Sequence, residues 1–399
     1  MKIDSYNVKY NISNSPKGVL DVVFCAWINE SALSVDKKIE LARNAIETYP
    51  NAWEVIASKL PKGMSSICST LNTPKYRKVD EPDVLYVHEV NKTYIEYLRM
   101  CVDSACSDAE KWIKIIQHLD SYDVKIQNEV FEKLLLSCRE MSDGQKIKIK
   151  NKIRHEIYSH RYFCDSDWSM SEDALRQYEI LMNEIVVSEK VYDYIYIFSA
   201  AHDFPLLHPV PFCREESKES RNKNHILREE EIKTRIQDIT EKEYSLEKLI
   251  ELTVNEEYSL LGEVLAQFYC DGIFNEDVFS LLMEKDEKGK SVYDYVRYLH
   301  RNGTVDLIEV IDKVKGLSDD NNLLVNLISL EFIEDDETAI IAREDEEIKK
   351  MYWSRNLRLR ISGEAEHKVF VWALDECKKY GSLHTYLELL YDVKDKMTS

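Results

Sequence analysis

Glycine and proline are scarce, at 10 and 8 in 399 residues, where average usage would give about 28 and about 20. So little turn-making material excludes an all-β sandwich or a doubly wound sheet, which need a turn about every ten residues. No run of about 18 apolar residues occurs, so no segment is built to cross a bilayer as a helix. The opening Met1–Tyr10 is polar and lacks the apolar centre of a secretory signal. No two cysteines form a CxxC pair. The nine stand at Cys25, Cys68, Cys101, Cys106, Cys138, Cys164, Cys213, Cys270 and Cys377, an odd and irregular set that predicts reduced, mostly buried thiols in a cytoplasmic protein. A complete phosphate-binding loop is also missing. Gly289-Lys290-Ser291 supplies its last three residues, but the first glycine is replaced by Glu284 and no apolar strand precedes it. A surface turn is expected there, and no nucleotide site.

Acidic charge is present in excess. Seventy-three acidic and 53 basic residues give a formal charge of −20, which repels phosphate backbones and points toward protein partners. The length allows a large core, arranged as two or three domains or as one extended array.

Taken in order, the chain predicts an all-α protein, an irregular α-solenoid of helical hairpins of the TPR or HEAT kind with no exact repeat. Short helices are expected from Val19, from Ser34-Val35-Asp36 to Tyr49-Pro50, and over Ala52–Leu60, followed by a long loop over 64–82. Longer amphipathic helices follow over Leu85–Ala105, Asp108–Leu119 and Asp123–Arg139. Ser142 is a natural N-cap for a helix carrying Ile147, Ile149, Ile153, Ile157 and His160, and Ser171-Glu172 starts the next. The apolar run 191–198 reads as a central helix or strand, leaving room for a few short strands near 191–212. Arg214–Gln237 mixes charges of both signs, as a solvated helix face or lid does. Short helices resume to the end, with Gly262 marking a close approach. The implied divisions are an N-terminal hairpin array over 1–140, a central region over 141–240 and a C-terminal array over 241–399.

Chemistry concentrates in Arg154–Trp168, which holds two arginines, two histidines and three carboxylates. His155-Glu156 with His160 is not a zinc motif. Histidines five apart point about 140° away from each other on a helix, so no metal is expected. His202, Asp203 and His208, beside a proline-rich turn, read as ordinary loop residues. Arg154 and His160 resemble the R-x4–6-H motif of HEPN ribonucleases, all-helical domains that cleave RNA without metal. That resemblance implies an arginine on the scissile phosphate and a histidine moving a proton at the ribose hydroxyl or leaving oxygen. The plainer reading is a helix junction. His160 and Arg161 would cap the last carbonyls, Asp165 and Asp167 would pair with Arg161 or cap the next helix, and Trp168 would be buried at the joint.

A wider resemblance runs through Asn11, Asn14-Ser15, Val22-Val23-Phe24, Trp27, Pro50, Trp53, Leu60-Pro61 and Pro74-Lys75-Tyr76-Arg77. It continues through His160-Arg161-x-Phe163-x-Asp165-x-Asp167-Trp168-x-Met170, where Ser171 replaces an expected proline, then Gly262 and Met351-Tyr352-Trp353-Ser354-Arg355. The order is similar to the helical C-terminal region of very large bacterial proteins that carry an upstream effector and a STAND-like NTPase and are linked to antiphage defence. The resemblance implies a chain corresponding to that region alone, with its other parts encoded separately or supplied by a partner. It also places His160, Arg161, Asp165, Asp167 and Trp168 in a scaffold. The expected function is a non-enzymatic interaction or sensor module without cofactor. Its partners would be a separately encoded effector or NTPase, or a phage protein. RNA is the partner only under the ribonuclease reading, and neutralising a toxin is a third option.

Overall fold

The computed structural model describes residues 16–27, 33–49, 51–61, 85–199, 204–255, 260–355, 361, 365–380, 383, 384, 386, 387 and 390. The expected loop over 64–82, His202, Asp203 and Cys68 lie outside them. Among the described residues the fold is all-α, and the only β pairing is an isolated bridge between Ile333 and Ile361. The chain divides into two compact units, 1–189 with 205–224, and 190–204 with 225–399.

In the first unit the helices are α1 (Pro16–Val23), α2 (Val35–Thr48), α3 (Ala52–Ala57), α4 (Val87–Asp103), α5 (Ala109–Ile116), α6 (Val124–Cys138), α7 (Asp143–Tyr162) and α8 (Glu172–Glu184). Their starts follow capping chemistry. Ser34, Asp108, Asp123, Ser142 and Ser171 each accept backbone N–H groups of the first turn that no carbonyl of the helix can reach. Each helix packs on the next helix in the chain or the next but one, α2 on α3 and α4, α5 on α7, α6 on α8, and α7 on α8. The shared core contains Trp53, Trp112, Tyr97, Leu98, Ile115, Ile153 and Tyr178, all buried. Some of its polar atoms are paired and others are not: the Tyr97 and Tyr178 hydroxyls are buried with no hydrogen-bond partner among the described residues. The Trp53 indole donates to the Cys101 carbonyl at 3.0 Å, and buried Lys38 donates to the Cys25 carbonyl at 2.9 Å.

In the second unit, residues Lys190–Phe198 form a 3-10 helix, not a strand. Val191, Tyr194, Ile195, Tyr196, Ile197 and Phe198 are all buried. A run apolar on every side carries no period, so its sequence could not decide between the two forms. No strand occurs among the described residues near 191–212. The charged stretch forms α9 (Ser217–Glu241), whose first turns belong to the first unit and whose remainder belongs to the second. It is not solvated all round, because Ser220, Asn224, Arg228, Ile232, Ile236 and Ile239 form a buried stripe. Helices α10 (Leu246–Asn255), α11 (Leu261–Val264), α12 (Glu276–Lys285), α13 (Lys290–Arg301), α14 (Leu307–Leu317), α15 (Asn321–Ile328), α16 (Glu346–Ser354) and α17 (His367–Tyr380) follow. A single π turn, Leu265–Tyr269, continues α11. At Gly262 the backbones of α11 and α13 approach so closely that a Cβ would lie 1.9 Å from the Ser291 carbonyl oxygen.

Candidate functional site

The residues singled out in the sequence meet at the corner between α7 and α8, inside the first unit. Helix α7 buries Ile149, Ile153, Ile157 and then His160. The step from 149 to 160 is close to three full turns, so the histidine continues the isoleucine face. His160 is 2% exposed. Its Nδ1 accepts the Met170 N–H at 3.1 Å, while its carbonyl accepts the Ser169 hydroxyl at 2.8 Å. An acceptor Nδ1 makes the ring the neutral Nε2–H tautomer. Burial holds its pKa below the ordinary histidine value, with Asp120 and Glu156 pulling weakly the other way.

Arg161, the next residue, is also buried, and its guanidinium is fully engaged. It grips Glu172 through Nε (3.2 Å) and Nη2, while Nη1 donates to Glu179 at 2.6 Å and to the Leu207 carbonyl at 2.6 Å. His208 Nδ1 lies 3.1 Å from Nη1. The two glutamates stand seven apart on α8, about two turns, and so share a face. Charge-assisted, forked contacts of this kind fix geometry as well as energy. The segment 205–212 is tied in a second way, by the Phe212 N–H to the Tyr162 carbonyl at 2.6 Å.

Several expectations for the corner are corrected here. Arg161 pairs with Glu172 and Glu179, not with Asp165 or Asp167, because α8 presents its acids to the buried guanidinium while the two aspartates project to solvent. Neither aspartate caps α8; Ser171, the expected start, does so and accepts the Ala174 N–H at 3.3 Å. Trp168 is 49% exposed rather than buried. His160 and Arg161 do not cap carbonyls of their own helix with their side chains; they bind the turn, α8 and the 205–212 segment.

Arg154 sits on the same helix, half-buried, and is engaged in contacts of its own. Six residues place it about 9 Å along the axis from His160 and about 120° around it. His155 is exposed, on a different face from His160, and no group of His, Cys, Asp or Glu able to hold a metal occurs among the described residues.

Around the corner the rings form a cluster. Tyr158 stacks on Tyr162 at 5.3 Å, Phe163 meets Tyr162 edge-on at 4.8 Å, and Phe212 lies 5.6 Å from Phe163. Trp168 meets Phe163 at 5.9 Å and the His160 ring at 5.1 Å. The i, i+4 spacing of Tyr158 and Tyr162 signals the stack in the sequence. Phe212, Leu207 and His208 give no such signal, because a distant segment brings them in.

Elsewhere the chemistry is spent on structure. At Gly289-Lys290-Ser291 the Asp286 carboxylate takes the Ser291 N–H at 2.6 Å and the Lys288 N–H at 3.1 Å, occupying the amides a phosphate would need. An open groove of about 640 Å³ in the first unit carries Arg139, Lys146 and Glu184 at its edge, charges of both signs with no convergent set. Of the eight described cysteines, four are buried and Cys106, Cys164 and Cys213 are exposed. No described helix is long and apolar enough to cross a membrane. The chain matches no family model, no curated protein and no solved structure.

Proposed function

We propose that this protein is a non-enzymatic, cytoplasmic α-helical module, an irregular solenoid of hairpins within each unit, that binds a protein partner in bacterial antiphage defence. One observation carries the non-enzymatic part. The His160 ring is 2% exposed and its Nδ1 is taken by a backbone amide, so it is not placed to take a proton from a ribose hydroxyl, and burial keeps the remaining Nε2–H from a leaving oxygen. Packing of helices on those one or two places along the chain supports the array. The charge of −20 favours a protein partner over a nucleic acid. The defence setting, and a partner that is a separately encoded effector, an NTPase or a phage protein, rest on the resemblance carried by the His160–Met170 block.

The test sets this reading against the ribonuclease one. Purified protein is incubated with single-stranded and structured RNA in chelator, beside Arg154→Ala and His160→Ala. The expected result is no cleavage by any of the three. Cleavage that His160→Ala abolishes while its helical circular dichroism is kept would establish HEPN-like chemistry through Arg154 and His160 and end the present reading.

A further inference from the structure

The exposed part of the α7–α8 corner has an unusual composition. Phe163 is 37% and Trp168 49% exposed, although both rings touch other rings. Their planes are tilted, not parallel, at 73° for Tyr162 against Phe163, 54° for Phe163 against Phe212 and 53° for Phe163 against Trp168. The result is a set of walls facing different ways. Asp165 follows Phe163 by two residues and Asp167 precedes Trp168, and both are exposed. Neither makes an ion pair among the described residues; Asp165 only accepts the Cys164 thiol at 3.8 Å. Arg161, the buried cation of the corner, is consumed by Glu172 and Glu179. The turn also sits at the C-terminal, negative end of a 20-residue helix.

We propose that Tyr162, Phe163, Trp168 and Phe212, with the Asp165 and Asp167 carboxylates, form a docking point for an arginine side chain of the partner protein. This rests on the reading that the chain binds protein. Aromatic faces attract a cation through the ring quadrupole, and arginine is the cation most often found there. Its flat guanidinium can lie on one ring and donate two N–H bonds to a carboxylate, which a lysine ammonium cannot match. The excess negative charge of the whole chain raises the local concentration of basic segments and speeds their encounter. The same charges work against stacking of nucleic-acid bases, whose phosphates would face two carboxylates and a helix C-terminus.

The experiment uses the full chain and a peptide of alternating glycine and arginine, with lysine and citrulline versions of the same length. Binding of labelled peptide is followed by fluorescence anisotropy at low salt. Arginine is expected to bind tightest and citrulline weakest. Trp168→Ala should weaken the arginine peptide about tenfold, and Asp165→Asn with Asp167→Asn should weaken it too and lessen the salt dependence, with Trp168→Phe keeping much of the affinity. Unchanged melting of each variant ties the loss to the surface. Equal affinity for arginine and citrulline, wild-type affinity of Trp168→Ala, or tighter binding of oligouridine through Trp168 overturns the proposal. A cellular partner captured equally by wild type and Trp168→Ala overturns it too and leaves the interaction reading standing, whereas RNA cleavage by the purified protein removes that reading itself.

Discussion

At the residue scale, position on a helix face decides the role of a reactive side chain more than its chemistry does. His160 was legible as part of the isoleucine run of α7, and a histidine on such a face is a packed, neutral ring. What the sequence did not carry was its partner, a backbone amide ten residues on that depends on how the turn closes. Glu331, in the bend after α15, shows burial acting on a reactive side chain outside a helix, with a measurable consequence. Both its oxygens accept the Ile340 N–H, at 3.1 and 2.9 Å, and burial pushes its pKa up from 4.5 to about 7. The native state therefore holds a proton that the unfolded chain has released between those two pH values. Stability falls as pH rises from about 4.5 to about 7 and is flat for this group on either side, with a total of at most about 3 kcal/mol. Glu331→Gln keeps an oxygen for the Ile340 amide and removes the titration. Urea denaturation of this variant between pH 4.5 and 7.5 is expected to show a flatter dependence than wild type, and parallel curves would refute the assignment.

At the element scale, helix starts were the most legible feature, because capping is local. Ser34, Asp123, Ser142 and Ser171 each mark a start to within a residue or two, and the caps observed are side chains accepting amides of the same turn. The 190–198 segment stayed open between helix and strand for the opposite reason, since a mostly buried, nearly all-apolar run shows no clear face. The cluster around Phe163 failed because Phe212 lies some fifty residues away in the chain. Gly262 was legible as a close approach though its partner was not. The structure identifies it as the Ser291–Tyr295 backbone of α13, with an added Cβ only 2.6 Å from the Tyr295 nitrogen as well. Backbone cannot swing aside as a side-chain tip can, so Gly262→Ala must separate the two helices. A loss of about 2 to 3 kcal/mol is expected in chemical denaturation, and Gly316→Ala, which meets nothing within 4 Å, should cost far less.

At the scale of the molecule, the order of the chain and the membership of the units do not coincide. Residues 190–204 belong to the second unit, while 205–224 return to the first. The returning segment brings the Leu207 carbonyl to Arg161 and the Phe212 amide to the Tyr162 carbonyl. It also buries Leu206 and holds itself in shape through Asn224, whose amide bonds both the N–H and the carbonyl of Val210, at 2.8 and 2.9 Å. A fragment ending at Glu189 keeps every helix from α1 to α8 and still lacks this brace, so the guanidinium of Arg161 and the carbonyl of Tyr162 lose partners along with the buried leucine. The cost of the leucine alone, about 2 kcal/mol, corresponds to a shift of about 4 to 8 °C for a unit of this size. Residues 1–189 should therefore melt lower than residues 1–224 by about that amount, and a synthetic peptide of residues 205–224 added in trans should restore part of the difference in a concentration-dependent way. Equal melting temperatures for the two fragments would show that the corner is held by α7 and α8 alone. The exposed rings of Phe163 and Trp168 would then be set by the turn itself, without the segment that carries Phe212.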